Sequence, residues 1–161
     1  MGRNLKMDYQ FNIMTQKQAE NIAFNWHYDG AYSFYDMEAD MEDLDEFLNP
    51  ETRGNTIFAV TNNDELVAFL SVDKVDDTTF EIGLGMRPDL TGRGRGLEFL
   101  KAAMDFVKSE FKAEKITLSV ATFNQRAIKV YRKIGFKDKG TFMQDTNGSI
   151  FEFLKMEYVC Y

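Results

Sequence analysis

The stretch "TGRGRGLEF", residues 91–99, alternates Gly92, Gly94 and Gly96 with Arg93 and Arg95 at the entry to an apolar-periodic segment. A glycine inside a helix costs roughly 1 kcal/mol relative to alanine, so a cluster of three at a helix start needs a compensating use. A strand, a glycine-rich turn and a helix N-terminus together make an anion site. Free N–H groups point outward there, the helix dipole favours negative charge, and missing Cβ atoms let a phosphate reach the backbone. Thr91 and Leu97 bound this turn. A dinucleotide fingerprint would require glycine where Leu97 stands, and a P-loop would require Gly-Lys-Ser/Thr, which the turn lacks.

A second constellation lies far upstream. From residue 18 to residue 52 there is no Lys or Arg, whereas Asp29, Asp36, Glu38, Asp40, Glu42, Asp43, Asp45 and Glu46 crowd among Trp26, Tyr28, Tyr32, Phe34 and Tyr35. Aromatics interleaved with carboxylates suit a cation, through ring faces and ion pairs; the alternative is a solvated acidic face over core aromatics. The only histidine, His27, titrates near neutrality in principle, but "NWHYDG" reads better as a surface or packing context.

The charge is divided in the same way. Residues 1–86 carry 5 Lys/Arg against 17 Asp/Glu, and residues 87–140 carry 13 against 6, within a total of −7. Such an asymmetry fits two ligands of opposite sign. The acidic total and the lack of a matching domain motif argue against nucleic-acid binding through "GRGRG".

These residues need elements to position them. Alternation and turn residues predict a strand over 8–14, a helix over 16–25 capped by Thr15, an aperiodic loop, and a helix near 40–48. A meander follows, "TIFAVTNNDELVAFLSV" and "TFEIGLGM", then a long amphipathic helix from Gly94 to Phe111 with apolar residues at 97, 100, 104, 107 and 111. "KITLSV" is a strand, Asn124–Ile134 a helix closed by Gly135, and "FKDKGTFM" and "SIFEFLKMEYV" a hairpin around "DTNG". The expected fold is a single α/β (α+β) domain over 1–161, with a mixed, mostly antiparallel sheet of about seven strands and about four helices. Met7 is a candidate native start, with residues 1–6 an appendage.

Several classes are excluded by composition. One cysteine, Cys160, and one histidine allow neither an intrachain disulfide nor a Cys/His metal cluster, so no metal is expected. No apolar run approaches the roughly 18 residues of a membrane span, and the N-terminus lacks a signal-peptide core. A cytoplasmic protein without membrane partners is expected.

With both motifs in place, the sequence resembles the GNAT superfamily of acyl-CoA-dependent N-acetyltransferases. The resemblance rests on "EIGLGMRPDLTGRGRGLEFLKAA", with Pro88, Gly92, Gly94 and Gly96 at family positions, and on "NQRAIKVYRKIGF", which agrees at Asn124, Ala127, Tyr131, Gly135 and Phe136. It departs at Thr91, where the family has Gln or Arg. The resemblance implies a GNAT fold, acetyl-CoA as cosubstrate, its pyrophosphate on the backbone of residues 92–97, and its pantetheine arm along the strand edge Leu84, Gly85 and Met86, with Asn124 as a further partner. It implies that Tyr131 protonates the departing thiolate, and that the aromatic and acidic segment borders the acceptor, with Trp26, Tyr28, Tyr32, Tyr35 and Asp36 as its expected contacts. Glu81, or an ordered water chain, would take the amine's proton. A noncatalytic acyl-CoA-binding module of the same fold is the alternative. The acceptor amine and a homodimer are left open by the sequence.

Overall fold

The computed structural model describes residues 8–91 and 95–160. Seven strands form one sheet in the order β1-β2-β3-β4-β5-β7-β6, where β1 is Tyr9–Ile13, β2 Ile57–Asn62, β3 Glu65–Lys74, β4 Thr79–Met86, β5 Lys115–Ala121, β6 Lys137–Thr146 and β7 Ser149–Val159. Every neighbouring pair is antiparallel except β4 and β5. Strand count and sense therefore follow the expectation from alternation.

The α-helices are α1 (Gln16–Asn25), α2 (Met41–Leu48), the single turn α3 (Pro50–Arg53), α4 (Arg95–Phe111) and α5 (Gln125–Ile134). Thr15 caps α1 as a full capping box: its side chain takes the Gln18 N–H, and the Gln18 side chain returns to the Thr15 N–H. One helix more than expected appears because Asn49 and Pro50 start α3 by a cap and a preset φ, leaving too short a turn to show any periodicity. The aperiodic loop contains two 3₁₀ segments, Gly30–Tyr35 and Met37–Ala39.

Two apolar clusters sandwich the sheet. The larger joins Phe99, Leu100, Ala103, Met104 and Val107 of α4 and Ile128 of α5 to Leu70, Val72, Phe80, Ile82, Ile116, Leu118 and Met156 of the strands. Truncating a fully buried member such as Leu100 or Met104 to alanine costs about 2–5 kcal/mol. The smaller cluster sets Ala19, Ile22 and Ala23 of α1 and Leu44 and Phe47 of α2 on Ala59, with Phe69 packed beside them. Buried Arg53 ties that layer together, donating to the Phe47 carbonyl at 2.6 Å and to Gln16 Oε1 at 2.8 Å.

Candidate active site

The sheet opens between its two parallel strands. The β4–β5 ladder pairs Thr79 with Lys115, Phe80 with Ile116 and Glu81 with Thr117 and ends there, although β4 continues to Met86 and β5 to Ala121. Beyond Glu81 the β4 arm keeps its ladder with β3, and the β5 arm keeps its ladder with β7. A strand edge at Gly83–Met86 is thereby left facing a gap, with α4 and α5 beginning beyond the two arms.

Glu81 lies at the closed end of this gap. Alternation puts it on the face opposite the core residues Phe80 and Ile82, and Thr117 Oγ1 donates to its Oε1 at 3.5 Å. Gly83 and Gly85 share that face. A Cβ at Gly85 would stand 2.1 Å from the Phe69 ring, and one at Gly83 would stand 2.5 Å from Ser71 Oγ. Gly85 is thus required by the Phe69 ring, whereas a Cβ at Gly83 would only turn the Ser71 hydroxyl aside, and what these positions leave for a ligand is the strand edge.

Gly96 behaves differently. Of the described glycines, Gly30, Gly54, Gly135, Gly140 and Gly148 hold positive φ, and Gly83 and Gly85 have neighbours where a Cβ would go; Gly96 has neither, and a Cβ there would meet nothing within 4 Å. Among the described residues no internal packing demands a glycine in the first turn of α4. Thr91 closes the preceding turn by donating from Oγ1 to the Pro88 carbonyl at 2.8 Å. Gly92, Arg93 and Gly94 lie outside the described residues; Arg95 and Leu97 stand with Gly96 in the first turn of α4.

On the other arm, Asn124 is the N-cap of α5. Its Oδ1 accepts the Ala127 N–H at 3.2 Å, and its Nδ2 donates to Tyr35 Oη at 3.2 Å. Tyr131 lies farther along α5, packed edge-on against Phe136, with ring centroids 5.9 Å apart. Burial, and secondarily the neighbouring Tyr35, push the Tyr131 phenol well above its ordinary value, so it is a protonated donor at neutral pH. Gly135 ends the helix at φ 120°, and the Phe136 N–H returns to the Tyr131 carbonyl at 3.0 Å, which fixes the last turn of α5.

The aromatic and acidic segment bridges the two arms. Tyr28 Oη donates to the carbonyl of Met86, the last residue of β4, at 2.7 Å, while Tyr35 bonds Asn124 on the opposite arm. Burial, then Asp36, push the Tyr28 phenol far up, which keeps it a donor. Asp36 is used internally: Oδ1 accepts the Tyr28 N–H at 2.8 Å, and Oδ2 faces His27 Nδ1 at 3.2 Å. His27 Nε2 faces the Phe24 carbonyl at 2.9 Å, so both ring nitrogens address acceptors and the protonated ring satisfies both. The bond to Asp36 and then that to Phe24 raise the His27 pKa accordingly.

The other expected acceptor contacts are also engaged within the chain. Trp26 is a core residue, only 5% exposed, packed beside Phe69. The Tyr32 ring is covered by the Arg126 guanidinium, 4.4 Å from its centroid, so its cation-binding face is taken by α5. Phe34 sits among Tyr35, Phe123, Phe151 and Phe153. Asp40, a residue that sequence reasoning singled out only for its charge, caps α2 with Oδ1 and with Oδ2 accepts the Asn147 N–H at 2.9 Å and the Thr146 hydroxyl at 3.2 Å. Asn147 in turn donates to the Phe34 carbonyl at 2.8 Å. The "DTNG" turn was the only sequence signal for that clasp. Asp43 stays pressed among like charges: burial, then Asp40, Glu46 and Glu42, raise its pKa.

Among the described residues no group of His, Cys, Asp and Glu is arranged to hold a metal, and no helix is long and apolar enough to cross a membrane. The model of the acetyltransferase (GNAT) family matches residues 21–136, which spans the acidic segment, the open strands and both signature helices. The chain belongs to the GNAT family. Its fold is shared with a GNAT-family acetyltransferase from Bacillus anthracis (TM-score 0.74, 21% identity, 94% of each chain). It is also shared with a spermidine N-acetyltransferase from Vibrio cholerae in complex with CoA and spermine (TM-score 0.71, 17% identity, 97% of this chain and 96% of that one). No curated protein matches the sequence.

Proposed function

We propose that the chain transfers an acetyl group from acetyl-CoA directly to a primary amine within a ternary complex. One observation carries this reading: the parallel ladder stops at Glu81 and Thr117, and the gap it leaves runs from the α4 entry, where Gly96 keeps a Cβ-free surface, to the α5 arm that bears Asn124 and Tyr131. The α4 entry would receive the pyrophosphate on backbone N–H groups of residues 92–97, with Arg93 and Arg95 adding positive charge. The β4 edge at Leu84, Gly85 and Met86 would pair with the pantetheine amides as an added strand would, and Asn124 would donate to the same arm.

In that arrangement the amine nitrogen attacks the thioester carbonyl carbon, a C–N bond forms and the C–S bond breaks. The thiolate sulfur takes the Tyr131 phenolic proton, and the attacking nitrogen gives up a proton toward Glu81 or water. Tyr131 is the candidate acid because its phenol is protonated at neutral pH and lies on the α5 arm beside the gap. A backbone N–H near Met86 is the candidate oxyanion donor. Direct transfer is favoured by the position of the one cysteine, Cys160, which follows β7 and packs against the α4 side of the core.

The acceptor is a cationic amine in this reading. Support comes from the crowding of Glu42, Asp43 and Glu46 on α2, where burial, and after it the like charges, raise the Asp43 pKa and a bound cation would relieve the crowding. The Vibrio cholerae spermidine N-acetyltransferase that shares this fold, in complex with CoA and spermine, is consistent with an amine of that kind. The test is a thiol-release assay with acetyl-CoA over a panel of polyamines, aminoglycosides, amino acids and peptides. Release dependent on one class supports the reading, and CoA binding without release to any amine would reduce the chain to a binding module.

A further inference from the structure

Tyr35 holds a donor of the β5 arm: Asn124 Nδ2 donates to its hydroxyl at 3.2 Å, and the Ala121 backbone N–H stands near the same oxygen. The direction of that N–H follows from its neighbour: the Thr122 N–H goes to the Glu152 carbonyl on β7, so by alternation the Ala121 N–H points to the opposite edge, the one β4 has left. The tyrosine hydroxyl therefore stands along the edge that β4 has left, half-buried and bonded to Asn124.

The same amide is the one the proposed reading gives to pantetheine. Asn124 Oδ1 is committed to the cap of α5, so the side chain cannot turn over without losing the Ala127 bond, and a ligand carbonyl entering along the gap meets a nitrogen already facing Tyr35. Tyr35 also ends the 3₁₀ segment Gly30–Tyr35, whose Phe34 and Tyr32 pack on Phe123. Moving its hydroxyl moves the border of the acceptor side.

The geometry points to Tyr35 as a latch: its hydroxyl occupies the Asn124 donor of the β5 arm in the free protein, gives it up when the pantetheine arm of acetyl-CoA enters, and thereby frees the segment that borders the amine. The inference rests on the acetyl-CoA reading above and adds an energetic coupling between the two substrates, which by linkage is the same whichever binds first. The segment that selects the amine is in this way released only in a molecule that already holds the acetyl donor.

The latch is tested by calorimetric titration of the full chain with CoA, wild type against Tyr35→Phe, which keeps the ring and removes the oxygen. The variant is expected to bind CoA about 2- to 10-fold more tightly, the range expected for one competing neutral hydrogen bond, while the amine KM at saturating acetyl-CoA, where the wild type is already unlatched, stays the same. A tyrosine that merely packs or braces would weaken both. Hydrogen exchange on the wild type supplies a second reading: saturation with CoA should speed exchange in residues 30–36. Equal or weaker CoA binding by a folded variant, or unchanged exchange in 30–36 on a wild type that binds CoA, overturns the latch alone. A wild type that binds no CoA overturns the acetyl-CoA reading and the latch with it.

Discussion

The two walls of the candidate site are built by different means. The wall carrying α4 and α5 is set by side-chain burial, with five residues of α4 and Ile128 of α5 packed into one core cluster. The opposite wall, residues 28–40, has no buried residue in either of its 3₁₀ segments and is held by directed polar contacts: Tyr28 to Met86, Asp36 to His27, Tyr35 to Asn124, Asp40 to Asn147. Burial is nondirectional and tolerant, whereas hydrogen bonds fail one at a time. The first wall is therefore expected to behave as a rigid support and the second as an adjustable one.

The largest expected effect tests the rigid wall's chemistry. Tyr131→Phe keeps the packing against Phe136 and removes only the proton donor, so turnover should fall by about 100-fold or more with acetyl-CoA binding nearly unchanged. Steady-state kinetics with a binding isotherm checks it, and wild-type turnover would return Tyr131 to the core. Gly96→Val comes next, because it places a branched side chain where nothing in the protein stands; CoA affinity should fall at least about tenfold while the melting temperature holds. An unchanged isotherm would remove the anion role from the α4 entry.

The adjustable wall should give smaller, substrate-selective effects. Asp40→Ala breaks the α2 cap and the clasp to Thr146 and Asn147 together, so the acceptor KM should rise several-fold with the acetyl-CoA KM nearly constant, alongside a lower melting temperature. Equal rises in both KM values would mean that the two walls do not act separately. The clasp also has a pH sign. Hydrogen bonds from the Asn147 and Asp43 backbones lower the Asp40 pKa, so its contribution is present above the ordinary carboxylate value and is lost as pH falls through the depressed one.

His27 should give the smallest effect, and of opposite sign. Its pKa is raised by Asp36 and the Phe24 carbonyl, so its hold on the wall is complete below about pH 6.5, the ordinary value, and fades as pH rises through the raised one. Exchange at the Tyr28 amide should therefore quicken over that window, beyond the ordinary base-catalysed rise, and His27→Gln should remove the added dependence. An identical profile in the variant would make His27 a bystander.

The same contrast explains what could be read from the sequence. Strands β4 and β5 and helices α4 and α5 were legible because burial writes itself as periodicity: 97, 100, 104, 107 and 111 on one stripe, Phe80 and Ile82 alternating with Glu81. The open ladder was not legible in periodicity, since β4 and β5 alternate alike on both sides of the split. The polar wall was not legible, because which carboxylate meets which donor depends on residues up to 107 apart, as with Asp40 and Asn147. Charge alone marked Asp36 and Asp40 as attractive to a ligand, whereas the fold spends both carboxylates on its own backbone. Nor could the sequence show why residue 85 is glycine: the Phe69 ring on the neighbouring strand occupies the space a Cβ would need.

That long reach from Asp40 to Asn147 bears on how the protein is made. A ribosome delivers the chain from its N-terminus, so residues 28–40 emerge well before any of their far partners: Met86 first, then Ala121, Asn124 and Arg126, and the 147 turn near the end. Until residues 151 and 153 arrive, Phe34 lacks two of the rings it nests among. The negative charge of the early acidic run is expected to oppose association of that waiting segment while its aromatics are still bare, until the hairpin of β6 and β7 docks.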